Sequence, residues 1–346
     1  MKTIESDYDF SEMHQRMQFY IDQNILSCCA TAVFKGTDLV DHQTFGYMDL
    51  ETRQPLRDDG IYRMASNTKI VTSVALVMLQ EAGLFDLDDP LAKFMPEFGE
   101  MQVLQPNASA AADVSPAENL ISVRHLLSHS AGLSYGFVEP DLVIDQAYLN
   151  NGVNGLGEQE IDLEELCLRI AKLPLAFEPG TSWRYSFATD VCARLVEVLS
   201  GLSFDVFLRQ RIFEPLGMVD TDFWVPEEKA HRLITMYSPQ DLFDPMKPGL
   251  NEAGDVITGP YTAKPTMLSG GGGLVSTVAD YSAFLRMIVN AGEWAGVRLL
   301  KPETLQSMRS NHLAAGVQVA FPMWAMPGTV FGLGFAVKNQ LQPKDH

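Results

Sequence analysis

Residues 66–82 are apolar almost all the way round, and Gly83 stands at their end. A helix with no polar face has to be buried on every side, so this segment predicts a central helix around which the chain must wrap, ended by a glycine free to turn left-handed. Its longest apolar run, residues 70–79, contains Thr72 and Ser73 and falls short of the roughly 18 apolar residues of a membrane helix. A core is affordable in any case, because 46% of the 346 residues are apolar.

The remaining pattern supplies what surrounds that helix. Phe10, Met13, Met17, Tyr20 and Ile21 fall at helical spacing and predict an amphipathic helix over 9–25. Two β-rich runs, 29–35 and 39–47, meet at Lys35-Gly36-Thr37-Asp38 and predict an antiparallel hairpin. Helices are expected at 123–130, 163–173 and 188–199. A further one, at 277–291, is signalled by the capping pattern of Thr277 and Asp280. A last strand is expected at 331–338, a surface insertion at 100–120 and a flexible loop at 150–157. The order of helix, hairpin, many helices and strand disfavours an alternating parallel sheet. It predicts an α+β fold, an antiparallel sheet flanked by helices plus an all-helical lobe. The expected division is a single domain, 1–346, with an α/β lobe from 1–85 and 275–346 and a helical lobe from 86–274, the site lying between them.

Charge and cysteines narrow the partners. The net charge is −19, from 25 basic and 44 acidic residues, which disfavours nucleic acid and anionic membranes. The first nine residues carry Glu5, Asp7 and Asp9 and no apolar run, so no secretory signal is read there. The expected location is cytoplasmic, or periplasmic if a signal has been removed. Cys28, Cys29, Cys167 and Cys192 form no CxxC pair and read as reduced thiols.

Ser66-Asn67-Thr68-Lys69 opens the central helix, and a spacing of three sets both functional side chains on one face, a turn apart. Ser66 sits at the positive end of the helix, and Lys69 enters an apolar run where a lysine needs a partner. A helix cap followed by a snorkelling lysine fits the same residues. Trp183-Arg184-Tyr185-Ser186-Phe187 follows the turn Glu178-Pro179-Gly180-Thr181. A tyrosine on such a loop can bond a nucleophile and shuttle its proton, or simply pack. Three other patterns are weaker. Gly132-Leu133-Ser134-Tyr135-Gly136 matches a G-x-S-x-G elbow but lacks the strand before it and the helix after it. His125 and His129 are four apart without the glutamate of a zinc helix, and Gly270–Gly273 is not followed by the lysine of a phosphate loop.

The segments Ile61-Tyr-Arg-Met-Ala-Ser66-Asn-Thr-Lys69, Leu87-Asp-Asp-Pro, Val123-Arg-His-Leu-Leu-Ser-His-Ser-Ala-Gly-Leu133, Phe177-Glu-Pro-Gly-Thr-Ser-Trp-Arg-Tyr185, Phe213-Glu-Pro-Leu-Gly-Met218 and Ser269-Gly-Gly-Gly-Gly-Leu-Val-Ser-Thr277 lie in order along the chain. Together they resemble the β-lactamase and transpeptidase-like serine hydrolases, on the branch of class C β-lactamases and family VIII carboxylesterases. The resemblance implies Ser66 as nucleophile, Lys69 as its partner and Tyr185 as general base and acid, with Tyr135 and Phe187 lining the substrate side. It implies no metal and no cofactor. Phe187 stands where the family carries an asparagine that holds a β-lactam side chain, which favours an ester. A serine esterase acting on a small-molecule ester through an acyl-enzyme is therefore expected. A β-lactamase or D-alanyl peptide hydrolase acting on an amide, an acyltransferase and a non-catalytic binding module are the alternatives. The family's later Lys-Thr-Gly, His-x-Gly or Trp-Gly-Gly strand is not found after Phe331-Gly-Leu-Gly-Phe335. The chain is thus expected to be C-terminally incomplete and short of a second oxyanion donor, unless Gly270–Gly273 provides one.

Overall fold

The computed structural model describes residues 1–153, 160–241, 244–253, 261–322 and 325–338. The chain groups into two compact units. The first comprises 1–64, 213–265 and 274–299, the second 65–212, 266–273 and 300 onward.

In the first unit, α1 (Ser11–Asp22) precedes the strands β1 (Cys28–Lys35), β2 (Asp38–Asp49) and β3 (Gln54–Pro55). They form an antiparallel sheet in the order β1-β2-β3, with Cys28 opposite Gly46 and Lys35 opposite Asp38. The expected hairpin is present, with a bulge between Val33 and Phe34. Met48, Leu56 and Ile234 form a small core, with Cys28, Ala30 and Tyr62 packed on it. β4 (Tyr62–Arg63) pairs antiparallel with Val275–Ser276, which leads into the helix Val278–Val289. The Thr277 side chain accepts the Asp280 amide at 3.2 Å, the cap that the sequence signalled.

The second unit is built on α2 (Thr68–Glu81), of whose 14 residues 11 are buried, as an all-round apolar helix requires. Gly83 (φ +77°) ends it, its amide reaching Gln80 O and that of Leu84 reaching Leu79 O, the two bonds of a Schellman cap. Around α2 lie α3 (Val123–Leu127), α4 (Val143–Asn150), α5 (Leu163–Ile170) and α6 (Ala188–Ser200), with α6 packed directly on α2. This packing assigns the central helix to the helical unit, so the division falls at other places than the expected lobes.

The insertion at 100–120 carries a short hairpin, Gln102–Leu104 against Val114–Pro116. The strand expected over 331–338 is instead a hairpin, Thr329–Phe331 against Ala336–Lys338. Two glycines make the turn. Gly334 has φ +82° and lies against Ser73, and Gly332 donates to Phe335 O at 2.7 Å. Of the loop expected at 150–157, residues 154–157 lie outside the described residues.

Candidate active site

Ser66, Lys69 and Tyr185 all belong to the second unit. Ser66 lies in a 3₁₀ turn, Ala65–Asn67, that feeds α2. Ala65 holds φ +44°, a conformation costly for a residue with a Cβ, of the kind that concentrates at functional positions. The turn leaves Ser66 exposed while Lys69, one turn on, is buried at 7% exposure.

Tyr185 donates its hydroxyl to Ser66 Oγ at 2.6 Å, and Lys69 Nζ lies 3.4 Å from the same oxygen. The ammonium donates at 2.6 Å to the Gly271 carbonyl and sits over two rings, 4.6 Å from the centroid of Tyr185 and 5.4 Å from that of Tyr135. A hydroxyl flanked by a phenol and a cation can pass its proton to the phenol oxygen, provided the latter has first given up its own.

Each side chain is held by a separate device. Arg184 anchors the Tyr185 loop, donating to Ser134 Oγ (2.6 Å), Glu139 (2.6 Å) and the fully buried Asp145 (2.9 Å). Ser134 Oγ also donates to Asp145 in a short contact. The G-x-S-x-G serine is therefore a buried structural hydroxyl, committed to the loop that carries Tyr185. His129 packs its ring 5.1 Å from that of Tyr185, and its Nδ1 lies 3.2 Å from Ser186 Oγ. Burial, aided by the Lys69 charge, pushes its pKa down to about 3. His125 faces elsewhere, accepting the Ser122 amide in a reciprocal cap of α3. Among the described residues, no group of three metal-ligating side chains occurs.

Phe187 and Tyr135, the two residues expected to line the substrate side, are buried at 1% and 4% exposure. The Phe187 ring packs 4.4 Å from Tyr135 and stacks on Tyr148, so it fills the space behind Tyr135. The surface beside Tyr185 comes from a later segment. Phe321 meets its ring edge-on at 5.5 Å, and Trp183, Leu313, Val319 and Phe331 form the cluster beneath.

The glycine run is a strap laid on α6. A Cβ on Gly270 would come within 2.6 Å of Ala193 Cβ and 2.8 Å of Thr189 O, so only glycine fits. The Gly271 amide donates to Asp190 and the Gly273 amide to Ser269 O, which leaves neither free as an oxyanion donor. Sequence reading passed over Asp190. Its signal was an acid among the apolar positions of α6, between Ala188 and Val191.

The β-lactamase family model matches residues 15–343. Protein Rv1367c of Mycobacterium tuberculosis is 32% identical over 320 residues, 91% of this chain and 76% of that protein. Lovastatin esterase of Penicillium rubens is 32% identical over 267 residues, 75% of this chain and 62% of its own length. Among solved structures, "EstCE1, a hydrolase with promiscuous acyltransferase activity" superposes with a TM-score of 0.78 at 24% identity, covering 94% of this chain and 82% of that one. The fold is thus that of the β-lactamase-like serine hydrolases, an enzyme class. The chain belongs to the β-lactamase family.

Proposed function

We propose that this enzyme cleaves carboxylic esters of small molecules through an acyl-enzyme on Ser66. The observation that carries the reading is the 2.6 Å contact between Tyr185 Oη and the exposed Ser66 Oγ, with Lys69 Nζ at 3.4 Å. Tyr185, as the phenolate, takes the hydroxyl proton while Ser66 Oγ attacks the ester carbonyl. It then hands that proton to the leaving alcohol as the C–O bond breaks. Water repeats the exchange and releases the acid. The Lys69 ammonium, held by Gly271 O, lies beside the negative charge throughout. An ester is favoured over a β-lactam because Phe187 presents neither donor nor acceptor to a lactam side chain and is buried. An alcohol in place of water would make the same residues an acyltransferase, the second activity in the name of the similar EstCE1. No described helix is long and apolar enough to cross a membrane.

The test is intact-mass labelling with a fluorophosphonate. Ser66→Ala should abolish the label and at least about 10³-fold of nitrophenyl butyrate turnover, as loss of a covalent nucleophile does. Labelling that survives in Ser66→Ala but vanishes in Ser134→Ala would move the nucleophile to the elbow serine. A higher kcat/KM for a chromogenic cephalosporin than for the butyrate ester would replace the ester by a lactam.

A further inference from the structure

Asp190 on α6 is 1% exposed. Its Oδ1 accepts the Ser269 hydroxyl at 2.6 Å and the Gly271 amide at 3.0 Å, and Tyr135 bonds the same carboxylate. Donors converge on it, and the bonds named include no acceptor for a proton of its own. Burial pushes the Asp190 pKa up, and the Lys69 charge and the Ser269 and Gly271 donors oppose that rise and favour the ionised carboxylate. Gly271 is thereby gripped at both ends, its amide by Asp190 and its carbonyl by Lys69.

The charges around it are few. Lys69 on α2 is the cation whose field Asp190 feels. Tyr135, Cys167 on α5 and Cys192 on α6 also face it, and burial pushes all three up, so they stay neutral. Near Lys69, burial keeps His129 neutral as well. A buried cation depends on the buried anion whose field it shares, and for Lys69 that includes Asp190.

We propose that Asp190 is a positioning residue of the site: its carboxylate clamps the Gly271 peptide that holds Lys69 and supplies the buried negative charge facing the ammonium. The proposal rests on the reading of Ser66, Lys69 and Tyr185 as the reacting group, and it explains why glycine must stand at 271, where a Cβ would run into Asp190 and Tyr135.

Asp190→Asn is the discriminating variant, since the amide keeps an acceptor for Ser269 and Gly271 and loses only the charge. In nitrophenyl butyrate hydrolysis, kcat is expected to fall about tenfold or more with KM changed by less than about twofold. Wild-type kcat, or a lower kcat with KM raised in proportion, overturns the proposal. If Asp190→Asn does not fold, Ser269→Ala decides. A kcat lowered about threefold or more at unchanged KM supports the clamp, and wild-type kcat refutes it. Fluorophosphonate labelling of Ser66→Ala, run alongside, keeps the two readings apart. A label retained there refutes Ser66 as nucleophile, whatever the Asp190 variants do.

Discussion

Two loops of the second unit meet the same requirement, a fixed backbone beside Ser66, by opposite electrostatic means. The Tyr185 loop is pinned by Arg184, which reaches into Asp145 and Glu139, so cation and anions touch and cancel locally. The glycine strap is pinned by Asp190 through neutral donors, and the matching cation, Lys69, lies across the Gly271 peptide. An ion pair closed on itself contributes to stability and leaves the reacting groups alone. A carboxylate whose counter-charge is a reacting group couples the scaffold to the chemistry. Damage to the first loop should therefore register in folding, and damage to the strap in rate.

That contrast can be broken at several points. The largest effect is expected from Tyr185→Phe, which removes the proton carrier and leaves Arg184 in place. Turnover should fall about 10³-fold with the urea midpoint nearly unchanged. A matching loss of stability would mean that the hydroxyl helps to hold the loop. Next comes Arg184→Met, which strands the buried Asp145. A destabilisation of about 3–5 kcal/mol is expected in urea unfolding, as when one partner of a buried pair is removed. A cost below about 1 kcal/mol would show that the ion pair is not what holds the loop.

Gly271→Ala tests the strap by volume. Its new Cβ would sit 2.9 Å from Tyr135 Oη, closer than van der Waals contact allows. A loss of about 1–3 kcal/mol is expected, with a larger fractional loss of kcat than that stability explains. The smallest effect is a pH slope. His129 is held neutral, with a folded pKa of about 3 against an ordinary 6.5. The native state therefore binds the proton less well than the unfolded chain. The resulting stability is complete above pH 6.5 and is lost as pH falls toward 3, at about 1 kcal/mol per pH unit. Urea midpoints between pH 6 and 4.5 should show that slope, and His129→Phe should flatten it.

The local part of this molecule was legible in one dimension. Helical spacing placed Ser66 and Lys69 on one face, apolar content on every side buried α2, and Gly83 marked its end. The hairpin of β1 and β2 followed from two β-rich runs about a turn. Tyr185 stood out through the resemblance of its loop to a family, and the fold returned it to Ser66 from 119 residues away. Phe187 was legible as an apolar replacement, but not that its ring would turn inward onto Tyr135 and Tyr148.

What the tertiary structure alone decided is who faces whom. Nothing near Asp190 in the chain announces Ser269 and Gly271, 79 and 81 residues on, and four glycines in a row do not say which helix they lie against. Ser134 turned from an elbow candidate into a buried structural hydroxyl because Arg184 reached it. The strand drawn over 331–338 broke into a hairpin where Gly334 met Ser73 of α2. Helix periodicity, caps and same-face spacing are set by residues within one or two turns, so the sequence determines them directly. A buried charge takes its meaning from partners that only packing brings within reach, and those are set by the folded chain as a whole.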